Sequence, residues 1–94
     1  MSNVIKKSET IANLLKNFSN KDKLAILCYL WKDKKNVSEL LKCCWISQSQ
    51  MSQFLNKMKL EWILESEKIG KEVYYKIIDK KVLEIISSLK NIFN

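Results

Sequence analysis

Gly70 is the only glycine among 94 residues, and proline is absent. Glycine reaches positive φ without steric cost, and proline pre-forms a turn. A chain with a single such residue cannot be rich in tight turns. It is predicted to be mainly helical, with helices delimited by side-chain caps and at most one tight hairpin, placed at Gly70. A chain of this length suits one domain, residues 1–94, and not two. A domain this small buries a modest share of its surface, and such domains are often completed by pairing.

The apolar pattern divides the chain accordingly. Residues 4–18 read as a first helix, with Ile5, Ile11, Leu14, Leu15 and Phe18 as its apolar stripe. Ser19 with Asp22 three residues on resembles a capping box and opens a second helix. Leu24, Ile26, Leu27, Cys28, Leu30 and Trp31 make this helix apolar around much of its girth, so it is expected to be the central, most buried one. A polar break follows over residues 32–35. Asn36 with Glu39 repeats the cap and opens a short third helix ending near Cys44. After a brief turn at Trp45 and Ile46, Ser47 with Gln50 opens a fourth helix, reaching about Lys59. Two short helices joined by a few residues have the spacing of a helix-turn-helix.

From Trp62 the chemistry changes. Residues 62–67 and 72–78 are rich in β-branched and aromatic side chains and flank residues 68–71, which contain Gly70. This is a hairpin with glycine where positive φ is required. Asp79 can cap a last helix, Lys80–Phe93, on which Val82, Leu83, Ile85, Ile86, Leu89, Ile92 and Phe93 form a wide apolar surface. The expected fold is mainly α (α+β), in the order ααααββα: a winged helix-turn-helix.

Net charge is +7, and every one of the 17 basic residues is lysine. Such an excess favours a polyanionic partner, nucleic acid or an anionic membrane face. No apolar run approaches the roughly 18 residues of a membrane span, and residues 1–7 do not read as a secretory signal. The chain is therefore expected in the cytoplasm, without a membrane partner and nucleoid-associated when on DNA. Three cysteines and no histidine argue against a disulfide framework and remove the commonest general base and metal ligand. Without a nucleophile–base pair, a phosphate loop or clustered carboxylates, neither an enzyme nor a cofactor is expected.

The fourth helix carries the most specific signal. Met51, Leu55 and Met58 recur at i, i+4 and i+7 and should face the core. The other face presents Gln48, Ser49, Gln50, Ser52, Gln53 and Asn56, with Ser47 at the cap and Lys57 beside them. An ordinary exposed helix carries mainly Lys and Glu. Uncharged hydrogen-bonding side chains suit base edges, since Gln and Asn pair bidentately with adenine. The N-terminal part of a recognition helix is what meets bases. Lys68 and Lys71, either side of Gly70, are expected to contact phosphate from the hairpin tip, diluted by Glu67 and Glu72. A solvated polar helix and a solvated turn are the plain alternatives.

Residues 15–93 resemble the ArsR/SmtB family of bacterial repressors. The resemblance rests on Leu24-Ala25-Ile26-Leu27, on Val37-Ser38-Glu39-Leu40, on residues 46–55 and on Val73-Tyr74-Tyr75-Lys76-Ile77. It implies a homodimer built on the first and last helices, repressing from a near-palindromic operator and released by a small inducer. Trp62 departs from the pattern, standing where the family commonly has a turn glycine. Lys57 and Glu61 replace positions that are often apolar or small.

The family's thiol metal site opens the third helix, where this chain has Asn36 and Ser38. Its zinc site needs histidine on the last helix, and there is none. No metal is therefore expected. Leu27-Cys28-Tyr29-Leu30 resembles the second-helix cysteine of the persulfide-sensing, biofilm-repressor branch. That branch has a second cysteine near the end of the last helix, where this chain has Phe93 and Asn94. Cys28 is thus either a small core residue or a one-cysteine sensor. Of the adjacent pair, Cys44 is expected in the core and Cys43 partly exposed. A DNA-binding module without an inducer, or an antirepressor-like interaction module pairing through the last helix, would share this fold.

Overall fold

Side-chain caps set where the helices begin. In the computed structural model, which describes residues 2–93, the elements run α1 (Ser2–Ser19), α2 (Lys21–Tyr29), β1 (Lys35–Asn36), α3 (Val37–Cys43), α4 (Gln48–Leu60), β2 (Leu64–Ile69), β3 (Glu72–Ile77) and α5 (Lys80–Phe93). Asn36 Oδ1 accepts the Glu39 amide at 2.8 Å while Glu39 Oε1 accepts the Asn36 amide at 3.1 Å. This reciprocal box satisfies two amides that have no partner within the helix. Asp79 Oδ1 accepts the Lys81 amide at 2.8 Å and opens α5.

One cap differs from expectation. Asn20, not Ser19, opens α2, accepting the amides of Asp22 and Lys23 at 3.0 and 3.1 Å. Ser19 still belongs to α1, and its hydroxyl donates back to the Lys16 carbonyl at 2.9 Å. The expected order also lacked β1. Lys35 and Asn36 pair antiparallel with Tyr75 and Tyr74, giving a sheet ordered β1-β3-β2. Two residues carry no periodicity of their own; they are drawn into the sheet by an edge that arrives forty residues later.

The wing is a regular antiparallel pair from Leu64↔Ile77 to Ile69↔Glu72, which leaves Gly70 and Lys71 as the turn. Gly70 has φ +62° in the first turn position, as a two-residue turn of the II′ kind requires. The strand begins at Leu64 and not at Trp62 because Trp62 finishes α4. The Trp62 amide donates to the Lys59 carbonyl at 3.1 Å and the Ile63 amide to the Met58 carbonyl at 3.0 Å, the paired bonds of a Schellman motif.

The core draws on every helix except α1. Ile26 and Leu27 of α2, Leu40 of α3, Met51, Leu55 and Met58 of α4, and Val82 and Ile86 of α5 are fully buried. Burying a side chain of this size is worth about 1.5–3 kcal/mol, so these residues dominate what holds α4 in place. Contrary to expectation, α2 is not buried all round: Ile26, Leu27 and the following Leu30 are in the core, while Leu24, Cys28 and Trp31 are only half-buried. From α1 only Leu14 and Phe18 pack against the core, while Val4, Ile5, Ile11 and Leu15 stay exposed. At the far end of α5, Ile92 and Phe93 are exposed too. No helix among the described residues is long and apolar enough to cross a membrane.

Candidate nucleic-acid interface

The surface of interest is built around α4. Ser47 Oγ accepts the Gln50 amide at 3.1 Å, and Gln50 Oε1 accepts the Ser47 amide at 3.4 Å. Ser47 and Gln50 therefore hold the helix start as well as lying at the surface. Met51, Leu55 and Met58 are sealed in the core, as the spacing required. With that side anchored, Gln48, Ser49, Ser52, Gln53, Asn56 and Lys57 are all exposed on one continuous convex face. Among the described residues, none of these six side chains takes part in a side-chain hydrogen bond or ion pair of ordinary geometry. Their donors and acceptors are free for a partner.

The wing follows α4, and its first strand lies beside that helix. Lys68 and Lys71 are exposed near its tip. Glu67 lies 3.9 Å from Lys34, and Glu65 is paired with Lys76 at 3.1 Å, so two of the wing's carboxylates face lysines. Lys68 and Lys71 take no part in an ion pair among the described residues. The structure thus places the ten residues singled out from the sequence in two groups, eight on and around α4 and two at the wing tip.

Three further residues border this surface. Lys59 Nζ donates to Ser66 Oγ of β2 at 2.7 Å, tying the recognition helix to the wing. Trp45, in the turn before α4, is wholly exposed at 101% of its reference area. Lys23 is only 8% exposed and places its ammonium 5.7 Å from the centre of the Phe54 ring on α4. Nothing local marks Lys23 in the sequence, where it reads as one lysine among several.

The chain is similar to known regulators over nearly its whole length. It is 36% identical over 85 residues to the transcriptional repressor PagR of Bacillus anthracis, covering 89% of this chain and 85% of that one. It is 30% identical over 88 residues to the biofilm growth-associated repressor of Xylella fastidiosa, covering 94% and 77%. Reduced HlyU from Vibrio cholerae superimposes with a TM-score of 0.92 at 28% identity, covering 99% and 98%. The chain belongs to the ArsR/SmtB family. No family model matches it. The relatives of this ArsR/SmtB protein are transcriptional regulators and not enzymes.

Family membership gives two positions their meaning. Trp62, where the family commonly carries glycine, has φ +60°, the only positive φ outside glycine among the described residues. The left-handed backbone is kept although a bulky residue occupies it. Cys28 is half-buried and lines one shallow cavity with Trp31, Lys32 and Lys90 and another with Leu89 and Phe93. It therefore faces the end of α5. Cys44 is buried and Cys43 half-buried, as expected. Burial pushes the Cys44 thiol above its ordinary pKa, and the neighbouring Cys43 adds to the shift. Among the described residues no three His, Cys, Asp or Glu side chains come together as a metal set.

Proposed function

We propose that the protein is a homodimeric transcriptional repressor, acting in the cytoplasm on a near-palindromic duplex DNA operator. The observation that carries this reading is the exposed face of α4. It is held by three fully buried residues, and Gln48, Ser49, Ser52, Gln53 and Asn56 on it are neutral and take no hydrogen-bond partner among the described residues. Gln48, Ser49 and Gln53 lead the contact with base edges, and Gln50, Ser52 and Asn56 extend it. Ser47, Lys57, Lys68 and Lys71 meet phosphate.

The dimer is supported by apolar side chains left open at both ends of the chain. Ile5 and Ile11 of α1 are 57% and 54% exposed, and Ile92 and Phe93 of α5 are 70% and 81% exposed. Pairing α1 and α5 with a second copy would cover all four, and two recognition helices would then lie about 34 Å apart, one turn of DNA. A gel-shift with the DNA upstream of the protein's own gene, beside a random duplex of equal length, tests this. Tighter retardation of the upstream fragment is expected; no retardation of either duplex at low salt refutes it.

Thiol-triggered release is a second reading, favoured by the position of Cys28 beside Lys90 and Phe93. Persulfide should release DNA from the wild type and not from Cys28→Ser. Equal release from both would assign Cys28 to packing alone.

A further inference from the structure

We propose that Lys23 and Lys57 together form a binding site for one backbone phosphate of duplex DNA, on the α2 flank of the recognition helix. The inference rests on the DNA-binding reading above and adds to it a residue outside the helix-turn-helix.

Lysine is seldom buried unless paired with an anion. Lys23 is nine-tenths buried, yet the ion pairs among the described residues join only Lys34 to Glu67 and Lys76 to Glu65. Its stem is covered, and the ammonium rests over the Phe54 ring. Phe54 and Lys57 stand at i and i+3 on α4, so the Lys57 side chain rises beside the same ring. The Lys57 charge is thereby close enough to act on the Lys23 ammonium. Burial pushes Lys23 below the usual lysine pKa, and the Lys57 charge pushes it further; Glu61, one turn on, draws it back more weakly.

Two like charges held together store repulsion that an anion between them would relieve. The location selects the anion. Lys57 follows Gln53 by four residues and so borders the base-reading face on the side of α2. Lys59, bonded to Ser66, borders the same face on the side of the wing. A helix lying in a major groove has a phosphate ridge along each flank. The Lys23–Lys57 pair would meet one ridge, and Lys59 with the wing lysines the other. Phe54 gives the Lys23 ammonium an apolar floor, which limits its access to water and strengthens its attraction for a phosphate.

The test is salt-dependent binding of Lys23→Met, Lys57→Met, the double variant and Lys23→Arg, on the upstream duplex and on a random duplex. Each lost phosphate contact should flatten the plot of log affinity against log salt by about 0.9 and lower affinity about fivefold near 0.15 M salt. The loss should be equal on the two duplexes, because phosphate carries no sequence. Lys23→Arg should restore the slope. The double variant should lose less than the product of the single losses, because both residues hold one phosphate.

An unchanged slope in Lys23→Met overturns the proposal and leaves Lys23 as packing for Phe54. Multiplicative losses overturn the shared site. If Lys23→Met does not fold, Lys23→Gln, which keeps much of the stem and a polar end but removes the charge, makes the same test. If the wild type bound neither duplex, the DNA-binding reading itself would fall. A wild type that binds beside variants of unaltered slope removes this site alone.

Discussion

Replacing Trp62 by glycine and, separately, by alanine isolates the backbone cost at the end of α4. The Schellman bonds from the Trp62 and Ile63 amides require a left-handed residue at position 62, and Ile63 and Met58 seal the motif from inside at 3% and 0% exposure. A residue with a Cβ pays about 1–2 kcal/mol to sit there. Glycine avoids that cost but loses about 0.4–1 kcal/mol through the greater freedom of its unfolded chain. The indole is 79% exposed, and both variants delete it, so its remaining contacts cancel in the comparison. Glycine should therefore exceed alanine by about 0.5–1 kcal/mol. The order is the reverse of a helix interior, where alanine is favoured. For a domain of this size that separates the midpoints by about 2–8 °C. Thermal melts followed by circular dichroism measure it, at one protein concentration because a dimer's midpoint depends on concentration. Alanine equal to glycine, or more stable, would refute the argument that backbone conformation sets the cost at this position.

Gln53→Ala should cost roughly 1–3 kcal/mol on the cognate duplex and little on random DNA, read by titration on both; equal losses would make Gln53 a backbone contact. Leu55→Ala removes a fully buried anchor of α4 and should lower stability in urea by about 2–5 kcal/mol. Ile92→Glu alters a side chain that is 70% exposed in the protomer, so it should leave the fold intact and shift sedimentation toward the monomer. With a thiol reagent near neutral pH, followed by mass spectrometry, Cys43 should be labelled well before Cys44. Burial hides Cys44 and raises its pKa, so little thiolate is present there until the pH rises well above neutral.

Local chemistry made much of this protein legible. The Asn36–Glu39 and Ser47–Gln50 boxes act within three residues, so their spacing places two helix starts without knowledge of the fold. The single glycine marks the wing tip because the first position of that turn needs a positive φ; the other left-handed position among the described residues, Trp62, carries no such mark in the sequence. The period of Met51, Leu55 and Met58 divides α4 into a buried side and a reading side, since one buried face determines the other. The cap of α2 was less legible, because Ser19 and Asn20 both carry a capping oxygen and only the end of α1 decides between them.

Neighbours within a turn of helix or a hairpin therefore settle the caps of α3, α4 and α5, the wing turn and the inner face of α4, whereas most of the apolar stripe read on α1 stays exposed. The tertiary structure alone decided the rest. β1 exists because β3 offers Lys35 and Asn36 a partner edge, and a two-residue strand has no stability without one. Lys23 is buried because α2 packs against Phe54, which sets its ammonium beside Lys57, thirty-four residues away in the chain. Long-range packing chose which of 17 lysines would be held in place, and no local pattern carries that choice.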